Sequence, residues 1–413
     1  MPSRETRSAI LPKHPGRPPS RQPVSIFVSA GEASGDWAGA RLARAIIARD
    51  PEVSVHGIGG RQMLQAGVQL MADSSEWSAI GLIHSLGKAP RIWRALRAAQ
   101  RRLAAEPQMG VVLIDFGAFN VPLARAARRA GCPTLYYMPP GSWSRKPRKR
   151  DLQALVDVVA APFPWSKEVM SGGRARIEWV GHPVVESARP RMSPEGARER
   201  YGIDADRPVL ALAPGSRTQE VRYVLPVMAR AAALLARRVE GIQFLVPVAP
   251  SLSREVVGGG LEAAGVNAVL LEGMEYDALQ LAQAAAVCSG TATLELACLQ
   301  LPMVVVYRAG LAATLEYALL RGRLGGQRFA ALPNIIADRE IVRELLGAAA
   351  TPTAIAAAAG ELLCDGQRRA RMRSDLAAVA SALGPPGASE RTAELVLGLM
   401  GRLEEMSEPD PGE

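Results

Sequence analysis

Short runs of β-branched and other apolar residues alternate along this chain with longer segments rich in Ala, Leu and Arg, whose apolar positions recur at helical spacing. That alternation predicts a parallel sheet with helices on both faces, because strands covered on two sides read as continuous apolar runs. It occurs twice. In the first half the predicted strands are Val24–Val28, Val111–Asp115, Thr134–Met138, Asp157–Ala161 and Ile177–Val180. In the second half they are Val209–Ala213, Gln243–Val248, Ala268–Leu271, Ala286–Ser289 and Met303–Tyr307. After Pro333 the pattern is helical without a strand candidate, and this segment is expected to pack over the first half or against a second subunit.

The implied organisation is α/β, with two Rossmann-like domains, 24–183 and 208–333, facing each other across a cleft. Residues 184–207, rich in Pro and charge, connect them. A helical segment, 334–403, follows. Residues 1–23, rich in Pro, Arg and Ser, read as a disordered basic tail, and 404–413 as an acidic one.

Composition narrows the function classes. With 413 residues, 48% of them hydrophobic, the chain exceeds what one core usually organises. Its four cysteines, Cys132, Cys288, Cys298 and Cys364, have no CxxC spacing, so neither a zinc knuckle nor a disulfide framework is indicated. No apolar run approaches the ~20 residues of a membrane span, and no signal peptide is recognisable; a cytoplasmic protein is expected. The net charge of +9 admits a polyanionic partner: nucleic acid, an anionic membrane or a phosphorylated substrate. Aromatics are only 5%, without an aromatic–basic repeat, which weighs against nucleic acid.

In open parallel sheets ligands bind where strand-to-helix loops meet free N–H groups. The loop after the first strand, "SAGEASGDWAG" (29–39), is glycine-rich but matches neither GxGxxG nor a P-loop. Its Glu32 and Asp36 would repel a diphosphate and suit sugar hydroxyls, although Ser34 or Asp36 would equally serve as a helix cap. "SGTATLE" (289–295) suits a diphosphate better. Ser289, Gly290 and Thr291 offer hydroxyls and N–H groups, and Glu295 offers an acceptor for ribose hydroxyls or a simple complement to the helix dipole. "APGSRTQEV" (213–221) adds Gly215, Ser216 and the cation Arg217. Together these two loops suggest a nucleotide-diphosphate site.

At these residues the chain resembles the lipid-A-disaccharide synthases, inverting glycosyltransferases of the GT-B fold. The resemblance rests on "AGEASGDWAGA" (30–40), "GIGGRQMLQAG" (57–67), "IGL" (80–82), "LID" and "FN" (113–120), "VGHPVVE" (180–186), "PGSRTQEV" (214–221), "SGTATLELA" (289–297), "PMVVVYR" (302–308) and "LPNIIADREIVRELL" (332–346). It implies transfer of 2,3-diacylglucosamine from its UDP derivative to 2,3-diacylglucosamine 1-phosphate, with UDP released and a β-1,6 disaccharide formed. It implies no catalytic metal and no cofactor, and the scarcity of His and of clustered carboxylates agrees. Donor contacts map onto Gly215, Ser216, Arg217, Ser289, Gly290, Thr291, Glu295 and Asn334. Acceptor contacts map onto Ser34, Asp36, Asn120 and Trp143.

A single inverting displacement requires a base at the acceptor hydroxyl. Asp115 takes that role by the resemblance, with a helix-capping role almost as well supported, and Glu32 is the second choice. His182 reads as a satisfied turn histidine. The family also suggests a homodimer.

Departures from the family pattern fall in the first half. The family's D-x-P-D-F-N is here Asp115-Phe-Gly-Ala-Phe-Asn120, its S-P-S-V-W-A-W loop is Pro139 to Arg145 with Trp143 retained, and His84 replaces a glutamate. The donor half is nearly complete, the clearest change being Asp338 where glycine is common. The acceptor half is therefore the altered one, which leaves a divergent UDP-sugar enzyme, or a UDP-sugar-binding protein without turnover, as the alternatives. A lipid substrate implies peripheral contact with the inner face of the cytoplasmic membrane. Lys88 to Leu103, "KAPRIWRALRAAQRRL", suits a basic interfacial helix, or equally a core helix with solvated arginines. Arg145 to Arg150 adds further positive charge.

Overall fold

The computed structural model describes residues 24–75, 77, 89–145, 152–310 and 328–401. His84, the "IGL" segment, Lys88, the run 146–150 and both tails lie outside them.

Two parallel sheets carry the fold. The first comprises β1 (Ser25–Ala30), β2 (Ser54–Gly59), β3 (Gln69–Asp73), β4 (Gly110–Ile114), β5 (Thr134–Tyr137), β6 (Val158–Ala161) and β7 (Arg176–Trp179), in the order β3-β2-β1-β4-β5-β6-β7. The second comprises β8 (Val209–Ala213), β9 (Gln243–Val248), β10 (Val269–Glu272), β11 (Ala284–Cys288), β12 (Met303–Tyr307) and β13 (Arg343–Leu346), in the order β10-β9-β8-β11-β12-β13. The central strands β4, β8 and β11 are buried along their whole length, as a sheet covered on both faces requires. Each sheet reverses its winding once, between β1 and β4 in the first and between β8 and β11 in the second. Such reversals open a crevice at the carboxyl ends of the strands.

Three strands escaped the sequence pattern. β3 and β13 are edge strands, partly exposed and polar, with sequences QLMAD and RELL. β2 is interior, but its sequence SVHGIG breaks the apolar run with His56 and two glycines. The segment after Pro333 is therefore not wholly helical, because β13 extends the second sheet beside β12. The helix Pro352–Cys364 packs on the long helix Thr218–Ala236 of the second half, whereas Ala388–Leu399 returns to the first. There Ala393, Val396 and Leu397 join the core formed by Ile26, Leu42 and Ile46. Glu186, its side chain 7% exposed, fastens this crossing by accepting from Arg41 Nη2 at 2.6 Å and from Ser389 N at 3.1 Å.

Candidate functional site

The loops that follow β1, β4, β8 and β11 flank the two winding reversals, and they meet. After β1 the chain passes Gly31 into Glu32, the N-cap of the helix Ala33–Arg49. Gly31 has no substitute here: a Cβ would lie 2.0 Å from the ring of Phe116, which comes from the loop after β4. That second loop is held in an unusual form. Asp115 and Phe116 both adopt left-handed backbone angles, φ 42° and 41°, which cost non-glycine residues roughly 1–3 kcal/mol each. The surroundings enforce it: Tyr136 Oη donates to the Asp115 carbonyl at 2.6 Å, and Asn120 Nδ2 donates to the same oxygen at 3.1 Å.

The Asp115 carboxyl is pushed up to about 6 by burial, with repulsion from Glu32 adding to it and the Phe116 N–H and Arg217 opposing. A carboxyl in that range is ionised near neutrality yet basic enough to take a proton.

Across the cleft, the loop after β8 runs Pro214-Gly215-Ser216-Arg217 into the helix Thr218–Ala236. Gly215, at φ 120°, is pressed against Glu220, where a Cβ would sit 2.7 Å from the Glu220 Cβ. Glu220 organises the turn from within: Oε2 accepts from Ser216 N at 3.0 Å and Arg217 N at 3.2 Å, and Oε1 accepts from Arg217 Nη1 at 3.0 Å. Arg217 Nη2 reaches over the cleft and pairs with Glu32. Asp115, Glu32 and Arg217 thus form one charged cluster built by both domains. A second bridge lies nearby. Arg145 Nη2 donates to the Ile336 carbonyl at 2.8 Å, its guanidinium 4.3 Å over the Trp165 ring.

After β11 the loop Ser289–Thr291 is open. Ser289 Oγ donates to the Ala330 carbonyl at 3.0 Å and Thr293 Oγ1 to the Gly290 carbonyl at 2.7 Å. The N–H groups of Gly290 and Thr291 find no acceptor among the described residues. Glu295 is half-buried and pushed up to about 7 by burial, the Tyr276 hydroxyl opposing as it donates to Oε1 at 3.2 Å.

Three expected contacts are corrected. Asp36 does not face the cleft: its buried carboxylate accepts from Gly60 N, Gln62 N and Met63 N at 2.7–3.0 Å, capping the next helix instead of its own. Asn120 is fully buried and spent on the backbone of β1 and β4, accepting from Ser29 Oγ and donating to the carbonyls of Ser29, Ile114 and Asp115. Asn334 is likewise buried. Its Oδ1 accepts from Ile341 N and Val342 N, and its Nδ2 donates to Val342 O and Glu344 Oε1, so its amide holds the turn before β13 and has nothing left for a donor. Ser34 is half-buried beside Glu32 without a hydrogen-bond partner among the described residues. Trp143 packs, half-buried, on the cluster that runs from Phe163 and Val184 into the second core.

His182 is half-buried, and desolvation depresses it to about 4, hence neutral; its Nδ1 accepts from Val184 N at 3.2 Å, the turn role expected of it. Asp338 caps the helix Leu332–Ala337 at φ 53°, a left-handed position that glycine fills without strain and aspartate tolerates. Ala118 is exposed on the first turn after Asp115, so the carboxylate it replaces leaves no buried group behind. Among the described residues no group of three or more His, Cys, Asp or Glu side chains is placed to hold a metal ion.

Two residues of the site were missed. Glu220 had a signal, because an acid three residues after an N-cap position closes a capping box. Tyr276 had none, lying nineteen positions from Glu295.

The chain matches the family model described as Lipid-A-disaccharide synthetase over residues 26–397. It is similar to the lipid-A-disaccharide synthase of Geobacter metallireducens, 36% identical over 378 residues that span 91% of this chain and 97% of the relative. Among solved structures, a putative UDP-N-acetylglucosamine 2-epimerase from Listeria monocytogenes aligns with a TM-score of 0.63 at 13% identity, over 94% of this chain and 99% of the other. The calicheamicin glycosyltransferase CalG4 aligns at 0.58 and 15%, over 92% and 99%. At such identities these two structures speak for the fold alone, the GT-B pairing of two parallel-sheet domains.

Proposed function

This chain belongs to the lipid-A-disaccharide synthetase family, and on that premise we propose how its cleft performs a glycosyl transfer of lipid A biosynthesis. The donor is UDP-2,3-diacylglucosamine and the acceptor is 2,3-diacylglucosamine 1-phosphate. The acceptor's 6-hydroxyl oxygen attacks the anomeric carbon of the donor from the face opposite UDP. As the new C–O bond forms, the bond to the diphosphate oxygen breaks and its electron pair leaves with UDP. Asp115 takes the hydroxyl proton, and Glu32 and Ser34 orient the acceptor. Arg217, with the free N–H groups of Gly290 and Thr291, stabilises the charge that develops on the leaving diphosphate. Gly215 and Ser216 let the backbone approach it, Ser289 holds the loop in place, and Glu295 accepts the ribose hydroxyls.

One observation carries this reading: the cleft sets a carboxyl whose basicity burial raises, on the strained backbone of the β4 loop, opposite a guanidinium on the β8 loop. A base and a leaving-group stabiliser on facing sides are what an in-line displacement needs. Contact with the lipid phase falls to the helix Ala89–Ala105. Ala99 and Leu103 are buried in the core, while Trp93 is 57% exposed with Arg97 stacked 4.7 Å from its ring and Arg91, Arg94 and Arg101 exposed around it. No helix among the described residues is long and apolar enough to cross a membrane. From the family we further infer peripheral placement on the inner face of the cytoplasmic membrane, Trp143 beside the acceptor's path, and a homodimer as the assembly.

The test is UDP release from UDP-2,3-diacylglucosamine, measured with and without the monosaccharide 1-phosphate. Release that requires the acceptor supports the reading. Release without it points to another UDP-sugar reaction, and tight UDP binding with no release to a binding protein.

A further inference from the structure

Resting on the donor role of Arg217 given above, we propose that Glu32 occupies on Arg217 the place that the donor's diphosphate takes. Donor binding then displaces Glu32 and frees its carboxylate for the acceptor half of the cleft.

The two carboxylates on Arg217 are held very differently. Glu220 is buried, and its Oε2 is fixed by the N–H groups of Ser216 and Arg217, so its grip on Nη1 belongs to the permanent structure of the β8 loop. Glu32 comes from the other domain. Its side chain makes no capping bond to the helix it starts, and Arg217 is its one hydrogen-bonded partner among the described residues. The pair is also open to solvent, with side-chain exposures of 33% for Arg217 and 29% for Glu32. Arg217 Nη2 is therefore a cation kept ready by one fixed acid and covered by one removable acid. A diphosphate presents the same kind of oxygen acceptors to a guanidinium with more charge, and replaces a carboxylate there without rearranging the fork.

The displaced carboxylate has little room to travel. Its backbone is pinned between Gly31, against which Phe116 is packed, and the helix that begins at Ala33. The charged neighbour already within its field on that side is Asp115. Once Arg217 turns to the diphosphate, Glu32 and Asp115 share the acceptor side, one to accept a hydrogen bond from the incoming sugar and the other to take its proton. Before the donor arrives, the Glu32–Arg217 pair spans the cleft where the two substrates would meet. The latch thus makes Glu32 a positioning residue whose partner changes during the cycle.

The experiment is calorimetric titration of UDP into the full chain. Glu32→Gln removes the competing charge and keeps the shape, so UDP should bind about three- to tenfold more tightly, the modest size expected of a part-exposed pair. In an Arg217→Ala background the same substitution should change UDP affinity less than about twofold, since the competition no longer exists. A site merely disturbed by the substitution would bind UDP more weakly, so the sign separates a latch from a structural role. Glu32→Ala, a second variant, should shift affinity in the same direction. Unchanged or weaker UDP binding by Glu32→Gln, at an unaltered melting temperature, overturns the latch and leaves the donor reading intact. Absence of UDP binding by the wild-type chain overturns the donor reading and the latch with it.

Discussion

The loop after β4 and the loop after β11 hold equivalent places in two sheets of the same winding, yet they are built in opposite ways. The β4 loop is closed. Asp115 and Phe116 sit in strained left-handed conformations, locked by Tyr136 and Asn120, and the loop presents a carboxyl that burial makes basic. The β11 loop is open. Its serine and threonine hydroxyls turn inward to carbonyls, and it presents N–H groups unpaired among the described residues. On the proposed reading, one fold supplies a proton acceptor on one side and anion donors on the other by changing what the loop spends on itself. A base needs desolvation and a fixed direction, and a diphosphate needs donors that no internal acceptor has claimed.

That contrast can be broken most sharply on the donor side. Arg217→Ala should weaken UDP binding by about 50-fold, the size expected for a charge-assisted pair with phosphate. It should leave the melting temperature near wild type, because Glu220 keeps its backbone bonds. Asn334→Ala sharpens the contrast from the opposite direction. It strips partners from Ile341 N, Val342 N, Val342 O and Glu344 and should cost roughly 2–3 kcal/mol of stability in thermal unfolding. Material that remains folded should bind UDP as wild type does; a selective loss of UDP binding would restore Asn334 to the donor site.

The pH dependence probes the acceptor side. Asp115 must be ionised to take a proton, and its carboxyl is raised to about 6, so kcat/KM for the acceptor at saturating donor should fall about tenfold per pH unit below that value and level off above it. Loss of UDP affinity on acidification should instead follow Glu295, raised to about 7. A single shared profile would erase the division of labour. The smallest effect concerns the membrane. Trp93→Ala should lower partition onto vesicles of anionic phospholipid by about fivefold, measured by sedimentation, without changing UDP affinity.

Much of the fold was legible because the central strands are continuously apolar, and burial on both faces writes itself into such runs. β2, β3 and β13 were not, since edge exposure and interspersed glycines erase that signature. In the site, Asp115, Glu32 and Arg217 were readable as charged residues in strand-end loops, and the structure brings them together. Asp36, Asn120 and Asn334 stood in equally suggestive places and turned out to serve the backbone. The letters were the same, but their partners lie 24–27 residues away for Asp36 and 91 for the Asn120–Ser29 bond, distances that leave no local pattern, while those of Asn334, 7–10 residues away, are mostly backbone groups that no residue type records. A polar side chain at a strand end is needed by the chain as often as by a ligand.

The most direct test of the two-sided cleft is one variant measured twice. Asp115→Asn should keep UDP affinity within about twofold of wild type, while turnover of UDP-2,3-diacylglucosamine with its acceptor falls about a thousandfold, the contribution of a positioned base. Turnover near the wild-type rate, or UDP affinity lost together with turnover, would contradict the account.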